Sequence, residues 1–231
     1  MILGVHVIRQ LWIQLRLLGL LSIPVLAAIA AVIVEGQTAP ELGPEIGRLT
    51  LAVAFAVAAV VSAVLIGTGF TEEIRSGAAS WLVVRAIPRT ALIGAWLVVP
   101  CLAVLAAYGL GGILAALAIP AQLPDPLTIA IGVVASAAPA IPLTALALAI
   151  GVGAPGRVVA LAIIGTAAVV AVPLVLLGDA VIHPASGYWL VAGIVPGDRP
   201  ITVGLQSIGL CLALAALAWL WAARRFSRRD L

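Results

Sequence analysis

The chain has 231 residues, of which 64% are hydrophobic and only 9% are charged. A soluble domain keeps roughly a quarter of its residues charged because its surface faces water, so this composition excludes a soluble globular protein. All twelve basic residues are arginine, and the formal net charge is +3. Cys101 and Cys211 lie singly in apolar stretches, which indicates small buried side chains rather than a disulfide or a metal site.

Six uncharged apolar runs each approach or exceed the roughly 20 residues that a helix needs to cross a bilayer. We therefore predict one all-α transmembrane domain with six transmembrane helices. A proline near the middle of the third run should tilt or bend it, whereas Pro139 and Pro142 should kink or break the fourth. A signal peptide is disfavoured for the first run, because the run is too long and no convincing cleavage site follows. The runs cover residues 17–34, 49–70, 90–119, 127–150, 158–177 and 201–223.

The arginines are divided unevenly between the two sides of this predicted topology. With the N-terminus inside, the outer side holds only Arg48 and Arg199. Positive charge collects in cytoplasmic loops. We therefore expect a multi-pass protein of the plasma membrane, of bacterial origin, with both termini in the cytoplasm. The cytoplasmic side then holds Arg9, Arg16, Arg75, Arg85, Arg89, Arg157, Arg224, Arg225, Arg228 and Arg229.

Residues 5–16, at the N-terminus, have the pattern of an amphipathic helix that lies in the inner membrane interface. Trp12 would anchor this helix, and a simple basic flank of the first transmembrane helix is the alternative. The polar face would hold His6, Arg9, Gln10, Gln14 and Arg16.

Two further segments lie between predicted transmembrane helices. Residues 71–89 mix charged residues with helix formers, which predicts a short cytoplasmic helix from about Glu72 to Val84. Glu72 and Glu73 would lie in its first turn, where the helix dipole favours carboxylates. Residues 178–200 are apolar at their centre but too short to cross, which favours an extracellular re-entrant or interfacial hairpin; an ordinary loop with interfacial aromatic residues is the alternative.

The predicted transmembrane helices contain no Asp, Glu, Arg or His. Ionisable groups in such helices usually mark proton relays, ion paths or catalytic sites, and a phosphate-binding P-loop requires a lysine that this chain lacks. We therefore expect no enzymatic activity, no cofactor or metal and no nucleic-acid partner for this chain. Membrane lipids would surround it, and any energy for transport would come from another subunit.

Several residues taken in chain order resemble a known family. Glu73 and Gly77 are followed by the apolar run 81–84, and then by Pro88 and Arg89 at the start of the third apolar run. The extracellular segment before the last run and the closing residues 226–231 also fit the pattern. In these features, and in its length, the chain resembles the permease subunits of ABC-2 type exporters.

The resemblance implies that residues 71–89 couple the permease to a separate cytoplasmic ATPase, which would hold ATP and magnesium. Glu72, Glu73 and Arg75 would make charged contacts there, and Gly77 would allow close packing. Positive charge on a cytoplasmic loop explains the other two candidates, Arg85 and Arg89, nearly as well.

The resemblance also implies a second permease, identical or paralogous, with the transport pathway along the second and fifth helices. Ser62, Thr68 and Thr166 are the main polar residues of those helices. Such an apolar wall favours export of an amphipathic or hydrophobic compound. The alternatives are a haem-exporter-like permease of cytochrome c maturation and a channel, carrier or scaffold outside the ABC class.

Overall fold

The computed structural model describes residues 2–13, 15–37, 43–77, 87–118, 126–177 and 200–228. Within these ranges every regular element is an α-helix, as the apolar composition and the absence of strand alternation lead one to expect. The helices are α1 (Ile2–Ile13), α2 (Arg16–Gln37), α3 (Gly43–Arg75), α4 (Arg89–Ala118), α5 (Pro126–Ala137), α6 (Ala140–Gly151), α7 (Gly156–Leu177) and α8 (Pro200–Ser227).

Within the described ranges, five apolar segments are long enough to cross a membrane. The chain is therefore an all-α, multi-pass membrane protein. The remaining predicted run, 158–177, corresponds to α7 (Gly156–Leu177), in which the apolar stretch Gly156–Val169 is fully described. The five segments are Arg16–Val34, Thr50–Arg75, Arg89–Leu114, Ala130–Gly151 and Ile201–Ser227.

The N-terminal helix differs in its bounds from the predicted 5–16. α1 ends at Ile13, and Leu15 adopts φ +55°, a left-handed conformation that a helix interior does not accommodate. Arg16 therefore begins α2, and the prediction that it shares a helical face with His6 and Arg9 is wrong. α1 packs against α4 and α2 through Val7 and Leu11, both fully buried.

The fourth apolar run is broken into α5 and α6, as its prolines predicted. A turn at Ala138 and Pro139 separates the two helices. Proline has no backbone N–H and fixes φ, so it interrupts a helical hydrogen-bond ladder. In α4, by contrast, Pro100 lies inside a helix that continues without interruption to Ala118.

α3 is the central helix and contacts α2, α4, α5, α6 and α7. Small residues make these contacts close: a Cβ atom on Gly67 would lie 2.6 Å from Cβ of Ala147 and 2.9 Å from Cγ1 of Val159. Without water to drive association, helices in a bilayer gain stability from such close packing. The outward faces are apolar and suit lipid, as in α7, where Leu161 and Val169 are each 71% exposed.

Contacts between helix ends define one end of the bundle, which we call the basic end. Here α1 and the first residues of α2, α4 and α7 meet the last residues of α3, α6 and α8. Eight of the ten arginines predicted to share one side of the membrane are described, and all eight lie at this end. They are Arg9, Arg16, Arg75, Arg89, Arg157, Arg224, Arg225 and Arg228.

Candidate functional site

The end of α3 brings together most of the residues that the sequence singled out. α3 stops because Gly77 adopts φ +78°, a left-handed conformation that glycine enters without steric cost. The N–H groups of Ser76 and Gly77 close the final turn by donating to the carbonyls of Glu72 and Ile74, at 2.8 and 3.4 Å.

The prediction that a short cytoplasmic helix begins at about Glu72 is therefore wrong. Glu72 and Glu73 lie in the last turns of α3, at the negative end of the helix dipole, where a carboxylate is disfavoured. The uncharged run of the sequence ends at Phe70, but the helix itself continues for five more residues, to Arg75. Both carboxyl groups consequently depend on cationic or donor partners from other helices.

Arg16, the first residue of α2, is the partner of Glu72. Its Nη2 atom lies 2.8 Å from Oε2 of Glu72, and its Nη1 atom donates to the carbonyl of Leu65 and to Oγ1 of Thr68, both at 2.6 Å. Thr68 in turn donates to the carbonyl of Val64. The Arg16 side chain is 15% exposed and that of Glu72 is 60% exposed, so this ion pair opens to the surface.

His6, from α1, is the partner of Glu73. Its Nε2 atom lies 2.9 Å from Oε1 of Glu73, and the glutamate side chain is fully buried. The indole of Trp96 lies beside the same carboxyl group. Neither its Nε1 atom nor Oε2 of Glu73 makes a hydrogen bond of good geometry with a described residue. A direct contact between Glu73 and another subunit, as the sequence suggested, does not fit this burial.

Arg89, the first residue of α4, joins this helix to the end of α8. Its Nη1 atom donates to the carbonyls of Phe226 and Ser227, at 3.3 and 3.1 Å. These carbonyls lie at the C-terminus of α8, where a cation is favoured and where unpaired acceptors need donors. Phe70, Trp96 and Phe226 pack between these two attachments, with ring centroids 5.8–5.9 Å apart.

The remaining predicted residues are distributed more widely. Arg75 and Gly77 are exposed at the basic end, whereas Arg85 and the run 81–84 lie outside the described residues, as does the predicted hairpin except for Pro200. Ser62 is fully buried and its hydroxyl has no partner among the described residues. Thr166 donates to the carbonyl of Ala162 on the same helix. Of the three pathway candidates, Thr68 is therefore the one that bonds to a charged residue of the basic end, Arg16.

The site also contains three residues that the sequence did not single out as site residues: His6, Arg16 and Trp96. His6 is 67 positions from Glu73, and Arg16 is 56 positions from Glu72. The polar face assigned to residues 5–16 was the one signal for these side chains, and it indicated an outward rather than an inward orientation. No group of three or more His, Cys, Asp or Glu suited to a metal occurs within the described ranges.

Comparison with models of known protein families gives no match, and comparison with curated proteins gives none either. The resemblance to ABC-2 permeases therefore depends on the residues quoted from the sequence. The class that the fold itself defines is an all-α, multi-pass membrane protein with a polar network at one end.

Proposed function

We propose that this chain is the permease subunit of an ATP-driven ABC exporter of the ABC-2 type, powered by a separate ATPase subunit that holds ATP and magnesium. The chain would cross the plasma membrane of a bacterium six times, with α7 as the additional crossing. The basic end would face the cytoplasm with both termini, because positive charge favours that side. A second permease, identical or paralogous, would complete the pathway.

The observation that supports this proposal most is the attachment of both flanks of residues 78–86. One flank is fixed to α1 through the His6–Glu73 bond, and the other to the end of α8 through Arg89. A partner that displaces this segment would therefore act on α3 and α4 and, through these bonds, on α1 and α8. Such an arrangement suits a coupling segment better than a passive loop.

The charge distribution supports the same proposal. Arg75 is exposed beside the segment, and Glu72 is exposed there while it pairs with Arg16, whereas Glu73 and Arg89 are bonded to other helices of the chain and are less accessible. The six crossings would supply an apolar conduit, which suits an amphipathic or hydrophobic cargo. The polar candidates Ser62, Thr68 and Thr166 would be minor features of that wall.

Site-specific crosslinking tests the proposal directly. A photo-crosslinking residue at Ser80, within the segment, should capture an ATPase subunit in cells, and the captured partner can be identified by mass spectrometry. The same residue at Arg157 provides a matched control, because Arg157 is exposed at the basic end but lies at the start of α7. Capture from position 80 and little capture from position 157 are expected.

Function distinguishes the alternatives. Purified with its partner in vesicles, the chain should stimulate ATP hydrolysis, and E72A should reduce that stimulation while the complex stays assembled. Transport by the chain without any ATPase would instead support a channel or carrier. A stable complex that neither transports nor changes ATP hydrolysis would support a scaffold, and capture of a haem-delivery protein would support the haem-exporter alternative.

A further inference from the structure

The bond between His6 and Glu73 joins two ionisable groups inside the protein. The carboxyl group of Glu73 is fully buried, the imidazole of His6 is 20% exposed, and their nearest atoms are 2.9 Å apart. The predicted transmembrane helices had no ionisable residue, but α3 continues past Phe70 and carries Glu73 into the packed end of the bundle. A buried carboxylate is costly unless it is paired and hydrogen-bonded.

The other charged groups on the surrounding helices do not replace His6 as the partner of Glu73. Arg16 is bonded to Glu72 and to two acceptors on α3, Arg89 to the carbonyls that end α8, and Arg225 to the carbonyl of Ala149. Arg9 and Arg75 are exposed. Among the described residues, the ion pair with His6 is therefore the one that Glu73 makes.

The electrical balance of this pair depends on the number of protons that it holds. A neutral imidazole beside a carboxylate leaves one buried negative charge. One added proton gives either an imidazolium with a carboxylate or an imidazole with a carboxylic acid, and both forms are neutral overall and keep the hydrogen bond. A second added proton leaves an unbalanced positive charge next to a cluster of arginines, which is again unfavourable.

We propose that His6 and Glu73 together form a proton-binding site, and that the single bound proton holds α1 against the ends of α3 and α4. The proton adds to the pair from water at the basic end and returns there, because His6 is partly exposed. Interacting groups of this kind take up protons as a pair rather than independently.

The contacts of α1 make it the helix whose position depends on protonation of the His6–Glu73 pair. Among the described residues α1 meets α3 through this bond, while its contacts with α2 and α4 are apolar. The opposite side of α1 exposes Val5, Ile8 and Trp12. Loss of the bond therefore leaves α1 attached by apolar contacts alone. The inference concerns the chain by itself and does not rest on the proposed transport function.

Nuclear magnetic resonance of ¹⁵N-labelled histidine tests the proton site in the full-length chain in lipid nanodiscs. The chain has two histidines, so the variant H183Q leaves His6 as the one imidazole signal. Adding E73Q should shift the pH dependence of this signal, which is the signature of coupled sites. E72Q is the matched control, because the neighbouring carboxyl pairs with Arg16 instead, and it should leave that pH dependence unchanged. Equal His6 titrations in H183Q with and without E73Q would overturn the proposal.

A spin label at position 9, on the exposed side of α1, tests the mechanical consequence. Cys101 and Cys211 are replaced by alanine so that R9C is the one labelled site. The mobility of the label should pass through a minimum between about pH 5 and pH 8, because the pair is balanced with one proton and unbalanced on either side. E73Q and H6Q should each remove this minimum. A minimum that persists in both variants, or mobility that is constant over this range in the parent, contradicts the proposal.

Discussion

Two connections meet at the basic end, and they are fixed in different ways. On the two sides of the connection from α3 to α4, the described contacts are polar: His6 and Arg16 bond to the end of α3, and Arg89 bonds to the end of α8. The connection from α6 to α7 is held mainly by close contact at glycines, with one polar contact, from Arg225 to the carbonyl of Ala149. A Cβ atom on Gly151 would lie 3.0 Å from Oγ1 of Thr71, and one on Gly153 would lie 2.5 Å from Nη2 of Arg225.

This difference in contacts indicates which of the two connections can change its conformation. Close-packed interiors have few alternative arrangements, since any shift forfeits contacts or creates overlaps. Polar bonds at a protein surface exchange with water and depend on protonation and on partners. We therefore expect the α6–α7 connection to be rigid and the α3–α4 connection to respond to a partner or to protons. Four changes test this comparison, beginning with the largest expected effect.

The substitution G67A introduces a methyl group into the close contact of α3 with α6 and α7. Its Cβ atom would lie 2.6 Å from that of Ala147, so the helices must separate. We expect the free energy of unfolding to fall by about 3 kcal/mol, measured by reversible unfolding in mixed detergent micelles. G165A is the matched control, because a Cβ atom there meets nothing within 4 Å. Equal effects of the two substitutions would remove the evidence for a rigid steric connection.

The substitution R16Q removes the charged group that joins α2 to the end of α3. Its side chain makes three contacts with described atoms of α3, so we expect a loss of about 2 kcal/mol in the free energy of unfolding. The same unfolding measurement applies, and R157Q serves as a control because Arg157 is exposed. If R16Q and R157Q are alike, the polar network contributes little to this connection.

The substitution G77A tests the turn that ends α3. A residue with a Cβ atom at φ +78° is strained, although space is available around Gly77. We expect a loss of about 1 kcal/mol, together with faster amide hydrogen exchange in the last turn of α3. G77N should recover part of this loss, because asparagine tolerates the left-handed conformation. An unchanged exchange rate in G77A would indicate that the turn does not control the end of α3.

The substitution S62A should have the smallest effect. The Ser62 hydroxyl is buried and has no hydrogen-bond partner among the described residues, so its removal should change the free energy of unfolding by less than about 0.5 kcal/mol. Thermal unfolding in detergent measures this. A clear loss of stability would show that Ser62 belongs to a polar network like that of the basic end. With stability unchanged, any loss of transport in S62A can be assigned to the pathway.

The hydropathy of the sequence located the helices well and located their ends less well. The predicted run 158–177 corresponds to α7 at Gly156–Leu177, and the predicted break at Pro139 is present. The second run was predicted to end at Phe70, but α3 continues to Arg75. Hydropathy reports where charge is absent, whereas a helix ends where backbone conformation changes, here at Gly77.

For the site residues as well, the sequence identified some features correctly and missed others. Glu72, Glu73 and Arg89 were identified as candidates, and they do lie together at the basic end. Their partners were not identified, because Arg16 and His6 were assigned to an outward polar face of one interfacial helix. The left-handed Leu15 separates them into two helices, and no periodicity rule anticipates such a residue.

Sequence alone determined that this protein lies in a membrane, that it is built from helices and that most of its arginines share one end. These properties follow from the free energy of transferring side chains between water and lipid, which depends on residue type. Only the tertiary structure decided that Glu73 is buried beside His6 and Trp96. Burial of a single carboxyl group depends on which helices pack around it, and contacts between residues 67 positions apart are set by the whole bundle.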